Sequence, residues 1–282
     1  MPIYKPSELH AFLNGLGIHP KKGLSQNFLI DGNIIRKIVT VSAIEPKETI
    51  LEIGPGPGSL TQALLNAQAN VIAVEKDPIL AHALERLQTP TQQLTFFCND
   101  IMQFQMEQEI TARISAEKRA KIIANLPYHL TTPILAECVP LRHLFSSLTV
   151  MVQEEVARRF TAQPGTPEYG SFTIFLRFYT TPHYAFRVSK NCFYPVPKVD
   201  SAIVILELKD PPLDEKNAKT FFQLTRTAFK QRRKMMRASL KDIFPPEQIE
   251  NALTSIGLSP LARPETLSLE NFLQLHAILY QG

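Results

Sequence analysis

Between residues 49 and 153, short apolar runs alternate with stretches whose apolar residues recur at helical spacing. TILEI (49–53), VIAVE (71–75), LTFFCND (94–100), KIIANL (121–126) and SSLTVMVQ (146–153) read as five strands. Between the first two, Leu60, Ala63, Leu64 and Ala67 fall at i, i+3, i+4 and i+7; after the second, Leu80, Ala83, Leu84 and Leu87 share one face. Strands apolar on both faces and separated by helices predict a mostly parallel sheet covered on both sides. Upstream, a polar arm leads to a helix carrying Ile34, Ile35, Ile38 and Val39, which Glu45-Pro46 ends. Downstream, FTIFLRFY (172–179), PHYAFRV (182–188) and SAIVILEL (201–208) read as the last strands of the sheet, at least one of them antiparallel.

The 282 residues suit two domains at about 150 residues each. The polar tract KDPPLDEKNA (209–218), with Pro211-Pro212, marks a boundary, dividing the chain into an α/β domain over 1–210 and an all-helical one over 211–282. A hydrophobic fraction of 44% with 20% charged residues excludes a disordered chain. No apolar run approaches the roughly 18 to 20 residues of a spanning helix, and the amino terminus has no signal core. A cytoplasmic protein with no membrane partner is expected. Cys98, Cys138 and Cys192 show neither zinc spacing nor a disulfide framework and read as small apolar residues, with no metal site.

The first strand runs into LEIGPGPGSLT (51–61), which sets Gly54, Gly56 and Gly58 at its carboxyl end, where open α/β sheets bind ligands. Pro55 and Pro57 remove two N–H donors that a pyrophosphate would need. No P-loop pattern is present. A nucleoside ligand without phosphates loses less at such a turn, and S-adenosylmethionine is one. Glu75 ends the second strand, where a carboxylate can accept from both ribose hydroxyls. Asp100 ends the third, where it can accept from the adenine amine.

The fourth strand ends in Asn125-Leu126-Pro127-Tyr128. An exocyclic adenine amine is a poor nucleophile because its lone pair is delocalised into the ring. Two acceptors on its N–H groups, the Asn125 side-chain oxygen and the Leu126 carbonyl, draw the nitrogen toward sp³. Pro127 stiffens the turn and Tyr128 offers a face for a flipped base. Asn is neutral, so catalysis rests on positioning and charge complementarity rather than on a general base.

With these four motifs in this order, the chain closely resembles the small-subunit ribosomal RNA adenine N6-dimethyltransferase family. GLSQNFLID (23–31), VMVQEEVARR (150–159), PGTPEYGSF (164–172), FYPVPKVDSA (193–202) and AFKQRRKMMRASL (228–240) extend the match over nearly the whole chain. The resemblance implies a Rossmann-like class I methyltransferase sheet, mostly parallel with one antiparallel strand. It implies S-adenosylmethionine as cofactor and two methyl groups on each of two adjacent adenosines near the 3′ end of small-subunit rRNA. The assembling small subunit is the implied partner of a monomer. Carried over by position, Asn27 and Leu29, partly through their backbone, and Gly54 would meet the methionine end of the cofactor, Glu75 its ribose and Asp100 its adenine. Asn125 would sit between methyl and target amine, and Phe193 would stack on the target base opposite Tyr128. Ser25 stands where the family often has Gly, and Glu154 where Lys is commoner. Two other readings stay open, a methylase of large-subunit rRNA and an RNA-binding assembly factor without activity.

The net charge is +4. Residues 226–241 hold seven basic side chains and no acid, and the rest of the chain holds 23 basic against 26 acidic. Lys230, Arg232, Arg233, Lys234 and Arg237 are therefore expected to form a helical face for RNA phosphates.

Overall fold

The computed structural model describes residues 3–20, 26–90, 93–115, 118–232 and 234–281. They form two compact units. One comprises the chain up to Ala157 together with His183–Leu208; the other comprises Arg158–Pro182 and the chain from Lys209 onward.

In the first unit, α1 (Pro6–Gly15) precedes the short strand β1 (Phe28–Leu29) and α2 (Gly32–Val41). The arm that composition marks as merely polar is thus helical. Leu9 and Leu13, one turn apart, are buried, and the Glu8 carboxylate accepts from the N–H groups of Tyr4 and Lys5 at its start. Asp31 caps α2 by accepting from the N–H groups of Asn33 and Ile34. Then β2 (Thr49–Ile53), α3 (Ser59–Asn66), β3 (Asn70–Glu75), α4 (Pro78–Ala83), β4 (Leu94–Cys98), α5 (Met106–Thr111), β5 (Ala120–Asn125), α6 (Thr131–Cys138) and β6 (Phe145–Gln153) alternate, with the five strands, α3 and α4 where the periodicity predicts them. The chain leaves this unit along α7 (Glu154–Thr161). It passes through α8 (Ser171–Tyr179), then returns along β7 (Thr180–Val188) to β8 (Phe193–Tyr194) and β9 (Ser201–Leu208).

The seven-stranded sheet has the order β4-β3-β2-β5-β6-β9-β7. Pairs β2–β3, β3–β4, β2–β5 and β5–β6 are parallel, and β9 runs antiparallel to β6 from Ser147↔Glu207 to Gln153↔Ser201. The winding reverses between β2 and β5, so the crevice at their carboxyl ends is where this topology receives ligands. A separate ribbon pairs Phe28 with Tyr194 and Leu29 with Phe193.

The second unit packs α8, α9 (Glu215–Phe229), α10 (Met236–Ser239), α11 (Pro246–Ser255) and α12 (Leu269–Gln281) around Phe178, Phe221, Leu224, Met236, Leu253 and Phe272. Three sequence-based expectations are corrected here. Residues 172–179 are a helix, not a strand. Their apolar residues lie all round, a pattern that suits either element when buried. The Gly170 N–H donates to Thr173 Oγ1 at the helix start, and Phe178 stacks on Phe221. For the same reason the division is not a single cut near 210, because Arg158–Pro182 belongs with the carboxy-terminal helices. Nor is the basic stretch one helix. α9 stops at Phe229 and α10 starts at Met236, so Lys230, Arg232 and Lys234 lie in the turn between them. Arg233 lies outside the described residues.

Candidate active site

A cavity opens at the β2/β5 crevice, lined among others by Asn27, Gly54, Glu75, Asp100, Asn125 and Tyr128. The N–H groups of the glycine turn are spent internally: Gly54 donates to the Val74 carbonyl, Gly56 to Glu75 Oε2 and Gly58 to the Pro55 carbonyl. With prolines at 55 and 57, the turn has no glycine amide left for a phosphate. The three glycines serve different ends. At Gly54 (φ +67°) an added Cβ would meet only the Asn125 carbonyl, 4.0 Å away, so a ligand can approach there. At Gly58 (φ +79°) it would stand 2.9 Å from Leu84 and Leu87, so close packing demands that glycine.

The Glu75 carboxylate accepts from Gly56 N–H through Oε2 and from Asp77 N–H through Oε1, both at 2.9 Å. Burial pushes this carboxyl up, and those two N–H groups pull it back. Each oxygen keeps a second lone pair for a ribose hydroxyl. Asp100 is held below the ordinary carboxylate range by Lys76, whose Nζ donates to Oδ2 at 2.8 Å, and by the Met102 N–H on Oδ1. It is therefore an ionised acceptor lining the cavity. This donor set fits S-adenosylmethionine: a carboxylate for the ribose, another for the adenine amine, an open glycine, and no phosphate cradle.

Asn125 closes β5. Its Nδ2 donates to the Asn27 carbonyl at 3.1 Å, which leaves Oδ1 free to accept, the orientation an acceptor for an amine requires. Leu126 N–H donates to the Met151 carbonyl, and Pro127 and Tyr128 complete the rim. Tyr128 and Ser201 share a hydrogen bond between hydroxyls at 2.8 Å.

Two expected residues are not brought to this cavity. Phe193 is 1% exposed, in the core with Leu29, Ile35, Val188 and Ile203. Leu29 is buried opposite it in the ribbon. Their apolar side chains go to the core, so in this arrangement Phe193 offers no face to a base and Leu29 no side chain to a cofactor. Ser25 lies outside the described residues. Glu154 accepts from the Tyr184 hydroxyl at 2.7 Å.

Sequence reasoning missed Lys76, which directly follows Glu75, and Arg86. The Arg86 guanidinium donates to the Pro57 and Ala83 carbonyls and lies 4.5 Å from the Phe12 ring centre. Ser59 Oγ donates to the Ile3 carbonyl at 2.8 Å. The amino-terminal segment is thereby tied to the glycine turn.

The profile of the ribosomal RNA adenine dimethylases matches residues 18–281. The chain belongs to the ribosomal RNA adenine dimethylase family. This dimethylase is 66% identical over 282 residues, all of this chain and 99% of the other, to a protein of Protochlamydia amoebophila named Ribosomal RNA small subunit methyltransferase A. A Chlamydia felis protein of the same name is 46% identical over 276 residues, 97% of this chain and 95% of that one. Among solved structures, the 23S rRNA methyltransferase ErmE is similar with a TM-score of 0.71 and 26% identity, covering 90% of this chain and 99% of that one. A dimethyladenosine transferase from Plasmodium falciparum is similar with a TM-score of 0.69 and 25% identity, covering 87% and 94%. The dimethylase is thus an S-adenosylmethionine-dependent methyltransferase acting on adenine of ribosomal RNA. Among its described residues no helix is long and apolar enough to cross a membrane.

A second cleft, in the helical unit, is lined by Gly165, Pro167, Lys230, Lys234, Arg263 and Glu265 among others. Lys230, Lys234 and Arg263 are exposed there. Arg232 instead turns inward, its guanidinium donating to Glu265 and to the Thr166 and Pro167 carbonyls. Arg237 donates to Glu250. These two expected RNA contacts are engaged within the unit by acids remote in sequence. Arg263 is a cation that sequence reasoning did not include.

Proposed function

We propose that this dimethylase places two methyl groups on N6 of each of two adjacent adenosines near the 3′ end of small-subunit rRNA. It acts in the cytoplasm as a monomer on the assembling subunit. The observation that carries this reading is the site itself, Asn125–Tyr128 on the rim of a cavity that also holds Glu75 and Asp100. It belongs to a chain 66% identical, end to end, to a small-subunit methyltransferase. Likeness to ErmE, at 26% identity, favours a large-subunit substrate more weakly.

In this reading S-adenosylmethionine supplies a methyl group on an electron-poor sulfonium. Glu75 would hold the ribose hydroxyls and Asp100 the adenine amine, while Gly54 would let the methionine end approach the backbone. Asn125 Oδ1 accepts one N–H of the target amine, and the Leu126 carbonyl accepts the other, aiming the nitrogen lone pair at the methyl. Tyr128 provides the face on which the flipped base rests. Because Asn125 cannot take a proton, the methylated amine would release its extra proton to water after the transfer. Catalysis therefore comes from orientation and from acceptors already in place. Lys230, Lys234 and Arg263 hold RNA phosphates.

The test is labelled methyl transfer to purified small subunits lacking the modification, with large subunits as control. Four methyl groups on two adjacent adenosines near the 3′ end are expected. Label on another base, or on large subunits instead, overturns the proposal.

A further inference from the structure

The motif FYPVPKVDSA carries Asp200-Ser201 just before its last residue, and the function above uses neither. Ser201 is fully buried and opens β9, where it pairs with Gln153 at the end of β6. Asp200 fixes the approach to it. Its Oδ1 accepts from Lys190 N–H at 2.8 Å, its Oδ2 accepts from Arg187, and its carbonyl accepts from Glu154 N–H at 3.0 Å. Ser201 Oγ is thus held by a strand ladder on one side and a side-chain anchor on the other. That hydroxyl lies 2.8 Å from the Tyr128 hydroxyl, across 73 residues of chain.

Tyr128 itself stands on a single turn, Tyr128–Leu130, just beyond β5. The turn fixes the Cα end of this half-buried ring. A hydrogen bond at the phenol fixes the other end and so sets the ring's long axis. From this geometry we infer that Ser201 is a positioning residue for methyl transfer, acting through Tyr128 to hold the aromatic face against which the target adenine is presented. The inference rests on the function proposed above, in which Tyr128 receives the base. Ser201 touches neither cofactor nor substrate in this role, because its hydroxyl is buried behind the phenol.

The experiment is a double-mutant cycle with S201A, Y128F and the pair, read as kcat, KM for RNA, and cofactor Kd. A lost hydrogen bond that orients a reacting group is expected to lower kcat about tenfold. Each single variant should show that fall with cofactor Kd within about twofold of wild type, and the double variant should be no worse than either single one. Small-subunit RNA carrying 2-aminopurine at the target position supplies a second readout. Its fluorescence should be quenched by stacking in the wild type and less quenched in S201A.

Activity of S201A equal to wild type overturns the inference, as do independent, multiplying losses in the double variant. A fall in cofactor affinity and Tm with unchanged quenching also overturns it, because Ser201 then supports the fold only. If wild type itself puts no methyl on adenine, the functional proposal has failed and not merely this extension of it.

Discussion

The role proposed for Asn125 requires its amide oxygen to face the cavity, and the hydrogen bond from its Nδ2 to the Asn27 carbonyl at 3.1 Å leaves that oxygen available. Replacing Asn125 with alanine should lower methyl transfer by about 100-fold or more, the scale of losing one preorganised polar group at a reacting centre. Cofactor affinity should change only a few-fold. Isothermal titration beside single-turnover transfer measures both, and an equal loss of the two would show that Asn125 serves the cofactor instead. Glu52, next to the glycine turn, is 1% exposed, and its Oε2 has no hydrogen-bond partner. Burial, with the nearby Glu75 charge adding, pushes its carboxyl up from 4.5 to about 8. The folded protein therefore holds this proton more tightly than the unfolded chain does. The resulting stability is fully present below about pH 4.5 and is lost as the pH rises through about 8. Glu52→Gln should accordingly gain stability over wild type as pH is raised from 5 to 9, by at most about 5 kcal/mol. Thermal melts across that range check it, and parallel Tm curves for the two proteins would reject it.

At the scale of elements, the glycine turn shows how much a motif leaves unsaid. Its glycines and prolines announce a nucleoside site without a phosphate cradle, and the internal use of all three glycine amides agrees with that. Beside those amides, a further clamp on the turn is Arg86, 29 residues from Pro57, with Phe12 against its guanidinium. Arg86→Ala should weaken cofactor binding about tenfold, because the turn loses an anchoring hydrogen bond of charged type. Arg86→Lys should recover only part, since an ammonium cannot serve two carbonyls and a ring face in one plane. Equilibrium binding of cofactor to the three proteins distinguishes these outcomes, and wild-type affinity in Arg86→Ala would remove the clamp from the account. Helix α8 carries the opposite lesson. FTIFLRFY is rich in residues that favour strands, yet burial among Phe221 and Phe222 made it a helix. Local pattern is silent where every side of an element is apolar.

For the whole molecule, the excess of positive charge falls in the helical unit, but fewer cations are free there than the sequence count implies. Arg232 and Arg237 pair with Glu265 and Glu250, whereas Lys230, Lys234 and Arg263 line an open cleft. Each phosphate contact should contribute about 0.7 to 0.9 to the slope of log affinity against log salt. The triple change of Lys230, Lys234 and Arg263 to Gln should flatten that slope by about two to three. Arg232→Ala should leave it nearly unchanged while lowering the Tm of the protein. Salt-dependent RNA binding and thermal melts separate the two, and a large slope change in Arg232→Ala would reverse the assignment.

The parallel strands, the switch-point crevice and the gathering of Glu75, Asp100 and Asn125–Tyr128 around it were legible in the chain. Each depends on periodicity or on a motif at a strand end, and both are local properties that repeat along the sequence. The surroundings of Phe193, Leu29, Arg232 and Arg237 were not legible, for one shared reason. Whether an aromatic ring meets a ligand or a core, and whether a cation meets phosphate or a carboxylate, depends on neighbours far away in sequence. The same holds for the two pairings that shape the site, Arg86 with Pro57 and Tyr128 with Ser201. The sequence by itself determined which chemistry is possible at the ends of the strands. Only the tertiary structure decided which side chains are free to perform it, because burial and pairing are settled by contacts that no local pattern records.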